Sequence, residues 1–376
     1  MDRARRAKNP AGALTAGVAG SRGQGIEGFK LSPSFILGIA VALFGAQAAA
    51  QTRDTTTPRP VDPGRLQAAF SRASQLPKLR SLLVAIDGRI VAERYYGGAA
   101  RARATNVKSV SKSIISALIG IAIAEGKLEG VEQPIATFFP RELRDSAAAP
   151  KREITIADLL SMRAGLESTS FDGYGRWVTS GNWVRAALAR PMVAQRGGPM
   201  IYSTGNTHLL SAVLTKATGM STWAYARQKL GAPLGIEIPR WPRDPQGIYF
   251  GGNDMRLTPR AMLAIGELYR NRGRVGRRQV VPAWWVDSSF VVRTYSPFNG
   301  HGYGWGWWAR EGAGHRVSFA WGYGGQLIFI IPALRATVVM TSDADARREW
   351  GHLDALHDLL DSYVIPELES EMGMRE

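Results

Sequence analysis

A serine and a lysine three residues apart, Ser109 and Lys112, are the side chains best suited to covalent chemistry. Residues i and i+3 share one face of a helix, so the hydroxyl and the amine can meet. The following residues, 113–124, are apolar nearly all round, which predicts a buried helix too short to span a bilayer. Burial would lower the lysine pKa and the helix N-terminus would favour an anionic oxygen, so the pair can supply a nucleophile and its base. Because this spacing is common, a capping serine beside a solvated lysine is the alternative.

Two later stretches carry groups that such a nucleophile needs. Tyr202 precedes a predicted helix, and near an ammonium its pKa would fall, so that it could relay protons. A core tyrosine is the alternative. The segment Trp321-Gly322-Tyr323-Gly324-Gly325 starts a strand, and its glycines would let the backbone approach a ligand. An exposed N–H at Tyr323 could pair with the Ser109 N–H as an oxyanion hole, although a tight β turn is the alternative.

The elements that must position these groups lie mainly at the two ends of the chain. Two β-rich runs flank Asp87-Gly88 and predict a hairpin. Four β-like segments follow residue 300 and predict a strand meander: 303–309, 316–320, 326–331 and 336–341. A final helix is predicted at about 350–363. The sequence therefore predicts an α+β fold, with one antiparallel sheet formed by the N- and C-terminal parts, flanking helices, and an α-rich insertion at roughly 130–300.

Local signals in the α-rich insertion mark several helix boundaries. Thr155 should cap a helix, and Thr258-Pro259 should begin another with threonine at the N-cap and proline at the first helical position. Residues 166–181 are predicted to be a loop that contains Tyr174 and Trp177. The tryptophans at 305, 307 and 308 are predicted to lie along a strand and to pack mainly in the core.

Composition excludes several kinds of chemistry. The 376 residues include no cysteine, which excludes disulfides, thiolate metal sites and cysteine catalysis. The five histidines are scattered and form no metal-binding pattern, so no metal is expected. The net charge of +16 comes from arginines spread along the chain, and no nucleic-acid motif accompanies it. Nucleic acid is therefore not an expected partner.

The N-terminus has the pattern of an exported protein. Residues 1–50 combine basic residues, an apolar run at 35–44 and alanine-rich small-x-small sites, which predicts a signal peptide. Residues 51–63, rich in threonine and proline, are predicted to be a linker to a domain at 64–376. The sequence predicts a periplasmic or secreted protein with no stable membrane span after cleavage; an uncleaved anchor is the alternative.

Four phrases in this order resemble the serine hydrolases of the class C β-lactamase, penicillin-binding-protein and esterase type. The likeness is strongest to 6-aminohexanoate-dimer hydrolases and extends from about residue 80 to 365. The phrases are Ser109-Val110-Ser111-Lys112-Ser113, the segment 154–162, Tyr202-Ser203-Thr204-Gly205-Asn206, and the segment from Gly322 to Pro332. The resemblance implies a β-lactamase/transpeptidase-like fold with the site between the sheet and the α-rich region.

The resemblance also implies roles for single residues. Ser109 would be the acylated nucleophile, Lys112 its proton partner, and Tyr202 the proton shuttle to the leaving group. No cofactor or metal is implied. Substrate contacts are expected from six residues around these three: Thr204, Trp321, Gly322, Gly324, Tyr174 and Trp177.

Two departures from the family pattern narrow the expected substrates. Thr204 stands where the Tyr-x-Asn motif has asparagine, and Trp321 stands where a lysine or histidine is usual. A cation there would bind a substrate carboxylate, and its loss removes a contact worth about 1.5–3 kcal/mol. We therefore expect a hydrolase of carboxylic esters or small linear amides. The alternatives are a β-lactamase or D-alanyl-D-alanine carboxypeptidase, and a weakly active penicillin-binding-like sensing module.

Overall fold

The predicted hairpin is present at Asp87-Gly88. Strands β1 (Leu79–Ile86) and β2 (Arg89–Tyr95) pair antiparallel across this turn, where Asp87 and Gly88 have φ of 49° and 80°. Positive φ at both central residues gives a turn whose twist matches that of the strands. The computed structural model describes residues 66–345 and 351–373. The predicted signal peptide (1–50) and linker (51–63) lie outside the described residues.

The two ends of the chain meet in one antiparallel sheet, as predicted. Its eight strands have the order β2-β1-β12-β11-β10-β9-β8-β7. The short pairs β3–β4 and β5–β6 lie outside this sheet. The strands after β2 are β3 (Thr105–Asn106), β4 (Arg256–Leu257), β5 (Arg274–Val275), β6 (Arg278–Gln279), β7 (Thr294–Tyr295), β8 (Gly302–Tyr303), β9 (Trp308–Gly312), β10 (His315–Gly322), β11 (Gln326–Ile331) and β12 (Ala336–Ser342).

The helices lie mostly between the two groups of strands. They are α1 (Gln67–Ser74), α2 (Ser111–Ala124), α3 (Ala149–Arg152), α4 (Ile156–Leu160), α5 (Tyr174–Val178), α6 (Trp183–Leu188), α7 (Thr204–Thr218), α8 (Thr222–Ala226), α9 (Ala232–Leu234), α10 (Pro259–Arg270), α11 (Ala283–Ser289), α12 (His352–Asp358) and α13 (Ile365–Gly373). Within the described segments, none of them is long and apolar enough to cross a membrane. The predicted caps are present: Thr155 accepts from the Asp158 N–H, and Thr258 from the Ala261 N–H.

Two predictions of local structure were wrong. Residues 166–181 are not all loop, because they include a short 3₁₀ turn and α5. The predicted strand 303–309 is interrupted between β8 and β9, where Gly306 has φ of 79° and lies against the Lys112 carbonyl on α2. The tryptophans at 305, 307 and 308 are buried, as expected, but they do not share one strand.

Both faces of the sheet are covered, which explains its nearly continuous apolar strands. Alternate residues of a strand point to opposite faces. On β11, Ile328 and Ile330 belong to the core shared with α2, α7 and α10, whereas Leu327 and Phe329 belong to the core shared with α1 and the C-terminal helices. The sheet is thus the middle layer, and α2 lies in the core on one side of it.

Helix α2 is fixed by its serines as well as by its apolar residues. Ser113 donates to the Gly306 carbonyl at 2.6 Å and Ser116 to the Trp305 carbonyl at 2.8 Å. These buried hydroxyls therefore satisfy two backbone carbonyls of the loop between β8 and β9, and they hold that loop against the helix. The N-terminal end of α2 is thereby placed at the end of the sheet strands.

Candidate active site

Ser109 lies in a 3₁₀ turn, Lys108–Val110, that leads directly into α2. Lys108 before it has a left-handed φ of 50°, an uncommon conformation for a residue with a side chain. Two bonds hold Lys108 there: its N–H donates to Asn106 Oδ1 at 2.9 Å, and its carbonyl accepts from Ser111 Oγ at 2.6 Å. Ser109 is half-buried, so its hydroxyl is fixed by a rigid turn yet open to a ligand. The structure thus assigns Ser111 to support of the turn.

Lys112 is enclosed beside this serine. Its side chain is 3% exposed, and Nζ lies 3.0 Å from Ser109 Oγ. The amine also donates to the Gly252 carbonyl at 2.6 Å and to Thr204 Oγ1 at 3.3 Å. A neutral amine has two N–H donors and one lone pair, so it can satisfy the carbonyl and the threonine and still turn its lone pair to the serine proton. The geometry suits a base.

Burial makes the amine available as a base near neutrality. Desolvation lowers the pKa of Lys112 from 10.5 to about 7, and the charge of Asp254 opposes this only in part. The carboxylate of Asp254 is itself engaged by the Asn106 side-chain amide at 2.7 Å. The expected low lysine pKa is confirmed, and its cause is removal of the amine from water.

Tyr202 is the third group beside Ser109, but its predicted pKa was wrong. Burial raises the pKa of Tyr202 to about 12, and a hydrogen bond with Ser109 opposes this. The Lys112 amine lies 5.1 Å from the ring centroid, but with a pKa of about 7 it is not a permanent cation. Tyr202 therefore remains a neutral phenol at ordinary pH, which suits a proton donor rather than a phenolate base.

A short strap, residues 168–170, holds Tyr202 and the start of α7. Ser168 Oγ donates to the Tyr202 carbonyl at 2.7 Å, and the Thr204 N–H donates to Ser170 Oγ at 2.9 Å. The Gly205 N–H donates to the Thr169 hydroxyl at 2.7 Å. The strap thus caps α7 with side chains from a distant part of the sequence.

Thr204 was expected to contact substrate, but the structure places its hydroxyl on the Lys112 amine. The side chain is buried and bonds to Lys112 Nζ and, at 2.9 Å, to Ser170 Oγ. We therefore assign Thr204 to orientation of the amine.

The Gly251–Gly252 turn is a wall of the site that the sequence motifs do not reveal. A Cβ on Gly251 would overlap the Thr207 carbonyl, and one on Gly252 would crowd the Lys112 amine and Thr204. The Gly251 N–H also points to His208 Nδ1 at 3.4 Å. The only sequence signal is the glycine pair itself, since a backbone carbonyl that binds a lysine has no residue code.

A buried His208–Asp244 pair packs against the Gly251–Gly252 turn. His208 Nε2 lies 3.0 Å from Asp244 Oδ2, and both side chains are fully buried. Since Nδ1 faces the Gly251 N–H, the proton is assigned to Nε2, which donates to the carboxylate. The other oxygen of Asp244 accepts from the N–H groups of Gln246 and Ile248. The pair ties α7 to the turn that faces Lys112.

Tyr174 and Trp177, both predicted to bind substrate, have different surroundings. The Tyr174 hydroxyl accepts from Asn253 Nδ2 at 2.9 Å, next to the turn at Gly252. Trp177 is 3% exposed, and its indole N–H donates to the Trp183 carbonyl at 2.9 Å. The structure therefore brings Tyr174 to the loop beside the site, but places Trp177 in the core behind it.

The end of β10 lies against the nucleophile turn. A Cβ on Gly322 would overlap the Val107 carbonyl, so this glycine permits contact between two backbones rather than between backbone and ligand. The half-buried Trp321 packs 5.4 Å from the Trp308 ring. Tyr323 follows in an exposed turn, in which Gly324 and Gly325 have φ of 80° and 92°. The predicted oxyanion segment is thus adjacent to the turn that carries Ser109.

The described residues contain no group of three or more histidine, aspartate or glutamate side chains arranged to hold a metal ion.

The beta-lactamase family model matches residues 80–360. The chain belongs to the beta-lactamase family. It is 24% identical over 344 residues to the 6-aminohexanoate-dimer hydrolase of Paenarthrobacter ureafaciens, covering 81% of this chain and 84% of that protein. The resemblance seen in the sequence is therefore confirmed at the level of the family, which is a family of serine hydrolases.

Solved structures confirm the fold. A candidate 6-aminohexanoate-dimer hydrolase from Bacillus anthracis superposes with a TM-score of 0.66 at 18% identity, covering 84% of this chain and 87% of that one. EstCE1, a hydrolase with promiscuous acyltransferase activity, gives 0.65 at 18% identity, covering 79% and 97%. A penicillin-binding protein homologue from Pyrococcus abyssi gives 0.62 at 18% identity, covering 78% and 76%. The predicted β-lactamase/transpeptidase-like architecture is confirmed.

Replacement of Lys112 by methionine should stabilise the fold at neutral pH. The folded chain releases the lysine proton with a pKa of about 7 and the unfolded chain near 10.5, so the wild type loses stability as pH falls from about 10 to 7. We expect Lys112→Met to raise the free energy of unfolding by about 1–4 kcal/mol at pH 7, after loss of the Gly252 bond, and to leave it unchanged or lower it at pH 10, where that loss is no longer offset.

Urea denaturation at the two pH values measures this difference, and Lys127→Met, at an exposed lysine, controls for the loss of a charge. A stability change that is the same at pH 7 and pH 10 would show that the amine is not desolvated as described.

Proposed function

We propose that this protein hydrolyses carboxylic esters or small linear amides through an acyl-serine intermediate. The contact that carries the proposal is the one between Lys112 Nζ and Ser109 Oγ, at 3.0 Å, made by an amine with a pKa of about 7. A nucleophile within hydrogen-bond reach of a base that is partly neutral at pH 7 is the arrangement that acyl transfer requires. The likeness to a 6-aminohexanoate-dimer hydrolase, whose named substrate is a linear amide, supports this choice.

Acylation begins with neutral Lys112. Its lone pair takes the Ser109 proton while its two N–H groups remain on the Gly252 carbonyl and Thr204. Ser109 Oγ forms a bond to the substrate carbonyl carbon, and the carbonyl oxygen becomes an oxyanion. We assign the N–H groups of Ser109 and Tyr323 to this oxyanion, supported by the contact of the β10 end with the nucleophile turn.

Collapse of the oxyanion breaks the bond to the leaving group. Tyr202, a neutral phenol with a pKa of about 12, gives its proton to the leaving alcohol or amine, and the proton held by Lys112 restores the phenol. Neutral Lys112 then takes a proton from water as the water oxygen attacks the acyl carbon, and on collapse it returns that proton to Ser109 Oγ, which releases the acid. The cycle leaves the enzyme unchanged.

Substrates with a free carboxylate next to the scissile bond are disfavoured. Trp321, rather than a lysine or histidine, stands at the position that would bind such a carboxylate, and its ring packs on Trp308. β-Lactamase and D-alanyl-D-alanine carboxypeptidase activities are thus the secondary candidates, and a slowly acylated sensing module is the third.

An ester, amide and nitrocefin panel tests the proposal. We expect turnover of p-nitrophenyl esters or linear amides with little nitrocefin hydrolysis, and a fluorophosphonate adduct visible by intact mass. Ser109→Ala should abolish both turnover and adduct. Ser74→Ala, at an exposed serine of α1 whose hydroxyl donates to the Ser71 carbonyl, should keep the adduct. Rapid hydrolysis of nitrocefin without hydrolysis of the esters would favour the β-lactamase alternative. A folded protein that forms no adduct would refute the proposal that the protein is a serine hydrolase.

The proton donor can be tested by varying the leaving group. Tyr202→Phe should slow the hydrolysis of alkyl esters by about 10²–10⁴-fold, because an alkoxide must be protonated as it leaves. p-Nitrophenyl esters should be slowed far less, since p-nitrophenolate leaves without a proton. The measurement is kcat/KM for esters of one acid with both alcohols. An equal loss for both would assign Tyr202 to another step.

Export to the periplasm or beyond is a separate part of the proposal. It is supported by the basic segment, apolar run and small-residue sites within residues 1–50 and by the absence of cysteine. N-terminal sequencing of protein from a periplasmic extract should find a start near residue 51. A chain retained in the cytoplasm with residues 1–50 intact would contradict it.

A further inference from the structure

Two exposed phenylalanines meet beside Tyr202, although they come from opposite parts of the fold. Phe171 belongs to the 3₁₀ turn before α5, and Phe298 to the loop between β7 and β8. Their side chains are 62% and 64% exposed, and their ring centroids lie 5.1 Å apart. Phe171 is also 6.3 Å from the Tyr202 ring. The two rings form an apolar surface, the Phe171–Phe298 wall, that continues from the catalytic phenol towards solvent.

The backbone fixes Phe171 in place. Its φ is 53°, a left-handed value that costs a bulky residue free energy and persists only where neighbouring contacts impose it. The strap at residues 168–170, bonded to Tyr202 and the start of α7, ends directly before it. The same strap therefore positions the phenol and the exposed ring.

Phe298 is held by a closed loop on the other side. The Phe298 N–H donates to Ser296 Oγ at 3.2 Å, and the Ser296 N–H donates to the His301 carbonyl at 2.9 Å. The Phe171 and Phe298 rings are thus fixed by different segments and exposed to water, so they form an apolar surface at the mouth of the site around Tyr202. Aromatic groups bind to such a surface by offset or tilted stacking.

We propose that the Phe171–Phe298 wall binds the leaving group of the substrate and selects an apolar, aryl-sized alcohol or amine. This inference rests on the proposed function, in which Tyr202 protonates the leaving group. The part of the substrate nearest the Tyr202 hydroxyl is then the departing half, and the wall lies next to that tyrosine. The acyl half binds on the side of the oxyanion hole and does not need the wall.

Esters that differ in one half at a time separate these roles. Benzyl acetate and methyl acetate share the acyl group, whereas methyl phenylacetate carries the aromatic ring on the acyl side. For Phe171→Ala and Phe298→Ala we expect kcat/KM to fall about tenfold for benzyl acetate and less than about twofold for the two methyl esters. Tyr295→Ala, at a 69% exposed aromatic of β7 outside the wall, is the matched control and should leave all three unchanged.

The number of active sites in each variant is counted by fluorophosphonate labelling of Ser109, so that misfolded protein is not read as lost selectivity. An equal loss for all three esters, or a loss confined to methyl phenylacetate, would overturn the inference. If the wild type neither hydrolyses an ester nor takes up the label, the proposed function itself fails. If the wild type is active and the variants keep its selectivity, only the wall is refuted.

Discussion

The enclosure of one lysine amine is the constraint on which the site depends. Lys112 sits on an apolar helix, 3% exposed, with its amine between Ser109, Thr204 and the Gly252 carbonyl. Removal from water disfavours its charge, and this makes an ordinarily cationic side chain a base near pH 7. Desolvation of the Lys112 amine also costs folding free energy, so the packing around it must offset that cost.

The parts around that amine are held by close backbone contacts. Gly322 touches the Val107 carbonyl, and Gly251 touches the first turns of α7, where any side chain would overlap. Lys108 and Phe171 have left-handed φ, each next to a segment that the site uses. Such positions persist only where the neighbouring structure determines them, and here they place the nucleophile and the mouth of the site.

The departures from the family pattern have separate physical consequences. The Thr204 hydroxyl accepts a hydrogen bond from Lys112 Nζ. Trp321 removes a cation and adds aromatic packing on Trp308. The proposal of a neutral ester or amide substrate rests on this missing cation, because a β-lactam carries a carboxylate that such a cation would bind. The aromatic character continues outward through Phe171 and Phe298.

The sequence by itself determined the architecture, and it singled out Ser109, Lys112 and Tyr202, which the structure brings together. Local signals such as Asp87-Gly88, the cap at Thr155 and the apolar run after Lys112 act over a few residues, so the hairpin, the helices and the antiparallel sheet could be predicted. Tertiary structure decided what depends on segments distant in the chain. The Lys112 amine donates to the carbonyl of Gly252, 140 residues away. Because every residue type has the same backbone carbonyl, the sequence does not mark this acceptor. The partial burial of Tyr202, whose desolvation reversed its expected pKa shift, and the full burial of Trp177 follow from packing among several elements, which no local pattern records.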